Sequence, residues 1–356
     1  MKMILNICGR EIEPGSRHFF RMRVASLLDG NDLTIPLHVI RGSVDGPVLG
    51  LLAGVHGEEY YQNRIIRRLI TETSPDELNG TILAVPVANP IAFSHTSRRT
   101  PDPPDSTVDF TNLNRVFPGK RLTPLFGSME PTDVSLTMKM AAVLSEEVIQ
   151  RCDYIMDFHG HRMNGALKKM LYSPDDVSGE MARIFGLGIL HDPIGGGSAS
   201  AGPLYGSTGY AASIGIPGVV PEIGGGGHSE SFERACERMG VQGTRNVMVH
   251  FKMIEGEIVL PEKQFYFRKA PHVRATHSGY LVTDIEPEDV GIGRPTREVS
   301  KGEVLGAVYS PYTLEEVEQI ESPADGLLYM CRVSGLVHAQ NDVLAVADYE
   351  DSKWIE

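Results

Sequence analysis

Two hydrophobic periods alternate along most of this chain, and a different texture follows them. The stretch Val48–Ile70, VLGLLAGVHGEEYYQNRIIRRLI, holds both periods side by side. Its first half is a short apolar run broken by small residues, the mark of a buried strand in a parallel sheet. Its second half sets Tyr61, Ile65, Ile66 and Leu69 near helical spacing with Arg and Glu on the other faces, which predicts a helix opening near His56. The pattern before it, Phe19 to Arg41, alternates apolar and polar residues around a DGND turn and predicts a hairpin at a sheet edge.

The alternation continues. Gly80–Ala88 reads as a second buried strand, ended by Asn89-Pro90. Ile91 to Lys120 is crowded with Pro, Asp, Ser and Thr, and a loop of that length inside a compact domain points to function. Helices are predicted over Thr132–Gln150, Val177–Gly186 and Phe232–Ile254, with strands ending in DFHG and in IPGVVPEIG between them. Ile194–Gly209 is a small-residue loop suited to close backbone approach. Strands alternating with helices imply a mostly parallel sheet flanked by helices.

From about Phe265 helical periodicity ends, and short β-like pieces alternate with Gly- and Pro-bearing turns. Two domains are therefore expected, residues 1–264 and a β-rich unit over 265–356. The second has the texture of biotinyl and lipoyl carriers, but such carriers need a modifiable Lys at a hairpin tip. No Lys lies between Lys301 and Lys353, so a packing or oligomerisation module is the expectation, and a homo-oligomer stays open.

Chemistry concentrates at the ends of the predicted strands, where open α/β sheets place their sites. His56 and Glu59 stand three residues apart, a spacing that suits a borderline-soft divalent ion, zinc above all. Taken alone, the pair is a weak pattern, and a polar helix start with no metal is the first reading. His159, in YIMDFHG, offers a third donor, and Asp157 two residues before it points to the same face of a strand, either to orient an imidazole or as an ordinary buried, hydrogen-bonded Asp. Glu222, in GVVPEIG, is a carboxylate followed by the flexible run Gly224–Gly227. His161 reads as pocket wall or surface, and His228 as a loop residue.

Composition narrows the field. A formal charge of −13 disfavours nucleic acid and an anionic membrane surface as partners. Four scattered cysteines, without a CxxC pair, fit a reducing cytoplasm. The start, MKMILNICGREIEPG, is too quickly charged for a signal peptide, and no apolar run approaches the roughly 20 residues of a membrane span. A cytoplasmic protein is expected.

The four motifs HGEE, NLNRVFPG, DFHG and PEIG, in that order, resemble the succinylglutamate desuccinylase/aspartoacylase family, relatives of the zinc carboxypeptidases. Within it the chain most resembles the ectoine-utilisation branch, which deacetylates N-acetyl-diaminobutyrate. The resemblance implies a zinc-carboxypeptidase-like mixed, mostly parallel sheet followed by a small C-terminal β barrel-sandwich domain. It implies one zinc per chain on His56, Glu59 and His159, with Glu222 as general base. It makes Arg115, assisted by Asn114, the holder of a substrate carboxylate.

Two departures bear on substrate. Aspartoacylases carry an oxyanion-stabilising Arg right after Asn-Pro, where this chain has Ile91. The ectoine branch has an Arg ahead of Ser/Thr-Pro instead, matched here by Arg98-Arg99-Thr100-Pro101. Arg98 is thus expected at the oxyanion, with Arg99 as the alternative. Gly209 stands where aspartoacylase has a further carboxylate-binding Arg. A second substrate carboxylate would then be unpaired unless another cation answers it, Arg162 being the candidate, so neutral or cationic side chains are expected to be preferred. The implied activity is hydrolysis of the acyl amide of a small N-acyl amino acid. The rivals are a zinc carboxypeptidase acting on short peptides and a non-catalytic binding relative.

Overall fold

The computed structural model describes residues 5–101, 112–118, 135–162, 164–192 and 206–356. The strands Asn79–Val85, Val44–Leu52, Tyr154–Asp157 and Gly218–Gly225 lie side by side in that order, every neighbouring pair parallel. Their sequences are nearly all apolar because both faces of the sheet are covered. Leu49, Leu51, Met156 and Val219 pack under the helices Asn63–Glu72, Asp176–Phe185 and Glu230–His250. Val48, Leu52, Leu83 and Ile155 face the Leu136–Glu147 helix and the hairpin. That hairpin is Ser16–Ser26 against Asp32–Arg41, antiparallel and at the end of the sheet, where the alternation predicted it.

Local chemistry sets the helix limits. Ser135, Asp175 and Ser229 each accept a backbone N–H of the first turn that the helix itself leaves unpaired. Gly186, at φ +78°, closes the second of these helices in the left-handed region. The helix expected near His56 begins later. A 3-10 turn covers Tyr60–Gln62 and the α-helix starts at Asn63, so His56–Glu59 is a connection closed by Glu59 N–H donating to His56 O at 3.3 Å. Packing decides this. A Cβ on Gly57 would lie 2.0 Å from the Ala92 carbonyl, and the Gly57 N–H donates to Ser97 O at 2.8 Å.

Ala92 belongs to a short helix, Pro90–Ser94, capped by Asn89 and begun by proline, which the loop-like composition concealed. Much of the predicted 91–120 and 194–209 loops, Gly119 among them, lies outside the described residues. Among the described residues, no helix is long and apolar enough to cross a membrane.

Beyond the last long helix the strands turn antiparallel. Gly279–Thr283, Val304–Tyr309, Glu316–Glu321 and Ser334–Val337 form a separate four-stranded sheet. Others extend the main sheet instead. Gln264–Phe267 runs parallel to Ile189–His191, and Gly326–Arg332 runs antiparallel to the start of Gly165–Tyr172. Residue 265 therefore lies within a strand of the main sheet, and the β-rich unit is hydrogen-bonded to the first.

Candidate metal centre and its pocket

At the carboxyl ends of the central strands, three buried side chains converge: His56, Glu59 and His159, with donor atoms all within 4.8 Å of one another. His56 Nδ1 lies 2.9 Å from Glu59 Oε1, and His159 Nδ1 lies 2.8 Å from Glu59 Oε2. The far sides of both rings are backed by acceptors. Asn112 Oδ1 stands 3.2 Å from His56 Nε2, and Asp157 Oδ2 stands 3.1 Å from His159 Nε2. An acceptor behind Nε2 favours the tautomer with its proton there, which leaves the Nδ1 lone pair directed into the cluster. Two imidazoles so oriented and one carboxylate are the donor chemistry of a zinc site. Zinc fits.

Supporting bonds hold the cluster in place. Gln62 Nε2 donates to the carbonyls of His159 and Ile223, tying the helix start to two strand ends. Ser207 donates its hydroxyl to Asp157. Charge follows geometry here. Burial alone would raise the Glu59 carboxyl, but His56 and His159 hold it well below the usual range. Burial likewise opposes charge on His159, and Asp157 and Glu59 together push its pKa well above the ordinary imidazole value. Burial wins at His56, whose pKa is lowered.

The cluster opens into a cavity of about 530 Å³. Glu222 lines it, its strand in register with that of His159. Burial raises the Glu222 pKa above that of a free carboxylate, partly offset by His159. Arg98 lines the cavity and donates from Nη1 to Glu59 Oε1 at 2.7 Å. Arg99 is exposed and does not line it. Asn114 and Arg115 do, on a 3-10 turn that Asn112 caps. Burial, then the charges of Arg98 and Arg99, lowers the Arg115 pKa. His161 and Arg162 are also wall residues, and burial depresses His161 to about 4. His228 sits apart, its Nε2 donating to Gly165 O at 2.9 Å.

Sequence reasoning missed the opposite wall. His272, Tyr329, Arg332 and Asp342 of the C-terminal strands line the cavity, as does Lys169 of the main sheet. The Tyr329 hydroxyl lies 3.1 Å from His272 Nε2, and His272 Nδ1 lies 3.4 Å from Asp342. Lys169 had a signal: adjacent lysines, Lys168-Lys169, in an apolar strand must point one inward. The others join the site only through pairing across the whole chain.

A sequence profile of the succinylglutamate desuccinylase/aspartoacylase catalytic domain matches residues 45–251, which contain all four site motifs. The chain belongs to that family. It stands with it among the amidohydrolases. An N-alpha-acetyl-L-2,4-diaminobutyric acid deacetylase of Halomonas elongata is 26% identical over 329 residues, spanning 89% of this chain and 86% of that protein. The product-bound ectoine-utilisation protein EutE (DoeB) of Ruegeria pomeroyi superposes with a TM-score of 0.73 at 23% identity, over 95% and 97% of the two chains. A succinylglutamate desuccinylase/aspartoacylase of Rhodobacter sphaeroides gives 0.75 at 22% identity, over 98% and 100%. These solved structures share the fold throughout, C-terminal strands included.

Proposed function

We propose that this chain is a zinc-dependent deacylase that hydrolyses the acyl amide of small N-acyl amino acids. The observation that carries the reading is the buried convergence of His56, Glu59 and His159 beside an unligated carboxylate, Glu222. Zinc bound by those three side chains would lower the pKa of water to roughly 7 and polarise a carbonyl.

The chain's own groups supply the rest. Glu222 takes the proton from the attacking water and delivers it to the leaving nitrogen, a shuttle suited to a carboxylate whose pKa burial has raised. Arg98, at the edge of the cluster, stabilises charge developing on the acyl oxygen. Arg115 holds the amino acid's carboxylate, assisted by Asn114, which lines the same cavity. The diaminobutyrate deacetylase relative supports an N-acetyl amino acid as one member of the substrate class. Residues from both halves of the chain line the cavity, whose volume of about 530 Å³ favours small substrates over extended peptides.

The test is a hydrolysis screen of the zinc-loaded protein with N-acetyl, N-succinyl and N-formyl amino acids and both monoacetyl-diaminobutyrates. Release of free amine is expected, abolished by a chelator and restored by about one zinc per chain. Full activity in metal-free protein would overturn the site assignment.

A further inference from the structure

Two uncovered apolar features of the chain carry opposite charge. The first is a hairpin tip. Between the strands Val304–Tyr309 and Glu316–Glu321 the chain turns through Ser310–Glu315. The Ser310 N–H donates to Glu315 O and the Leu314 N–H to Ser310 O, both at 3.0 Å. The Thr313 N–H adds a bond to Ser310 Oγ at 3.2 Å. Held by its own bonds, with Leu314 in the left-handed region at φ +64°, the turn sets two large apolar side chains in solvent. Tyr312 is 95% exposed and Leu314 69%. Glu315 and Glu316 beside them are exposed, and among the described residues their carboxylates have no partner.

The second feature is a groove of about 380 Å³ that shares no lining residue with the metal-site cavity. Ile70 and Thr71 of the Asn63–Glu72 helix line it, with Pro86, Val87 and His38. Phe19, half exposed, extends this apolar surface, its ring 4.9 Å from that of His38. Arg67 lines the groove, and Arg21 stands 5.9 Å over the Phe19 ring. Among the described residues neither guanidinium has a carboxylate partner, whereas Arg64 is committed to Glu230 and Glu237. No acidic side chain among the described residues lines the groove, a local exception on a chain of net charge −13.

An apolar patch with a charged rim is the anatomy of a contact surface, and the rim's sign selects the partner. This groove asks for an apolar anchor flanked by carboxylates. The tip supplies both, Tyr312 and Leu314 as the anchor, Glu315 and Glu316 as the charges. It leaves the groove of its own chain empty, since Tyr312 stands almost wholly in solvent. A second copy brings the missing half. We propose that the Ser310–Glu315 tip of one copy docks in the Arg67 groove of another. The two patches differ, so the contact is heterologous: it closes as a pair when each copy fills the other's groove, and otherwise as a ring. A contact centred on one hairpin tip is small, so the association depends on concentration. It is independent of the deacylase reading.

The experiment is sedimentation velocity of the full chain from micromolar to sub-millimolar concentration, at low and high salt. It compares the wild type, Tyr312→Ala, Arg67→Glu, and Arg67→Glu combined with Glu315→Arg and Glu316→Arg, each checked by thermal melting. The wild type should pass from monomer to a closed oligomer as concentration rises, and less readily at high salt. Tyr312→Ala and Arg67→Glu should each weaken the association by roughly 10-fold or more, the scale of an anchor lost from an interface. The charge-reversed combination should regain part of that loss, because its tip and groove are again opposite in sign. A wild type that stays monomeric throughout overturns the proposal. So does an oligomer that resists either single variant, which would put another surface at the contact, and so does a charge reversal that restores nothing.

Discussion

Arg98 Nη1 and His56 Nδ1 meet at one oxygen, Glu59 Oε1, at 2.7 and 2.9 Å. The guanidinium is thus attached to the candidate metal cluster through Glu59, and its position depends on the carboxylate it touches. Arg98→Ala should lower kcat by about 10²–10³. Zinc content by elemental analysis should stay near one per chain. Loss of zinc in that variant would assign Arg98 to holding Glu59 instead.

Glu222 touches the cavity and lies in register with His159 without joining the donor cluster. Glu222→Gln keeps the shape and removes the proton acceptor. It should retain zinc and fold while losing about 10²–10⁴ in kcat. A variant that loses zinc would make Glu222 a ligand.

Gly57 lies between His56 and Glu59, the proposed ligands of the first motif, and any side chain there meets the Ala92 backbone. Gly57→Ala should push apart the connection and the Pro90–Ser94 helix, displacing His56 from Glu59. The expected result is weaker zinc retention on dialysis together with a lower melting temperature. Unchanged zinc affinity would show that the connection yields without moving its ligands.

Glu233 is buried on the Glu230–His250 helix, and among the described residues neither carboxylate oxygen has a partner. Burial raises its pKa to about 8, with Arg64 opposing. Because the folded pKa lies above the unfolded one, the folded state binds more protons between them. The stability gained is full below the ordinary carboxylate pKa and is lost as pH rises toward 8. Glu233→Gln should raise the melting temperature relative to wild type at pH 8.5 and change it little at pH 5. Parallel pH profiles for the two proteins would reject this.

The strands, the long helices and the four motif residues His56, Glu59, His159 and Glu222 were legible because each depends on short-range pattern at a strand end. The helix start was not. Whether His56 opens a helix turns on Gly57 packing against Ala92, a contact that no local period encodes. Asp157 was legible as an orienting residue from strand alternation, and its oxygen does face His159 Nε2. Arg98 rather than Arg99 facing the cavity depends on a single backbone position after the Pro90–Ser94 helix. The wall of His272, Tyr329 and Asp342 follows from register between strands more than a hundred residues apart, as Met330 against Leu167 illustrates.

That register also governs how the chain tolerates being shortened. Gly326–Arg332 covers the flank of Gly165–Leu167, whose amides and carbonyls would otherwise face outward as an open ladder. A chain cut at residue 264 would bare that flank, an invitation to strand addition from another molecule. Light scattering should then report aggregates where a simple lid would have left a soluble, wide-mouthed enzyme. The cavity wall and the cover on the sheet's flank are thus one feature, so a change that opens the cavity by removing the wall also exposes the ladder.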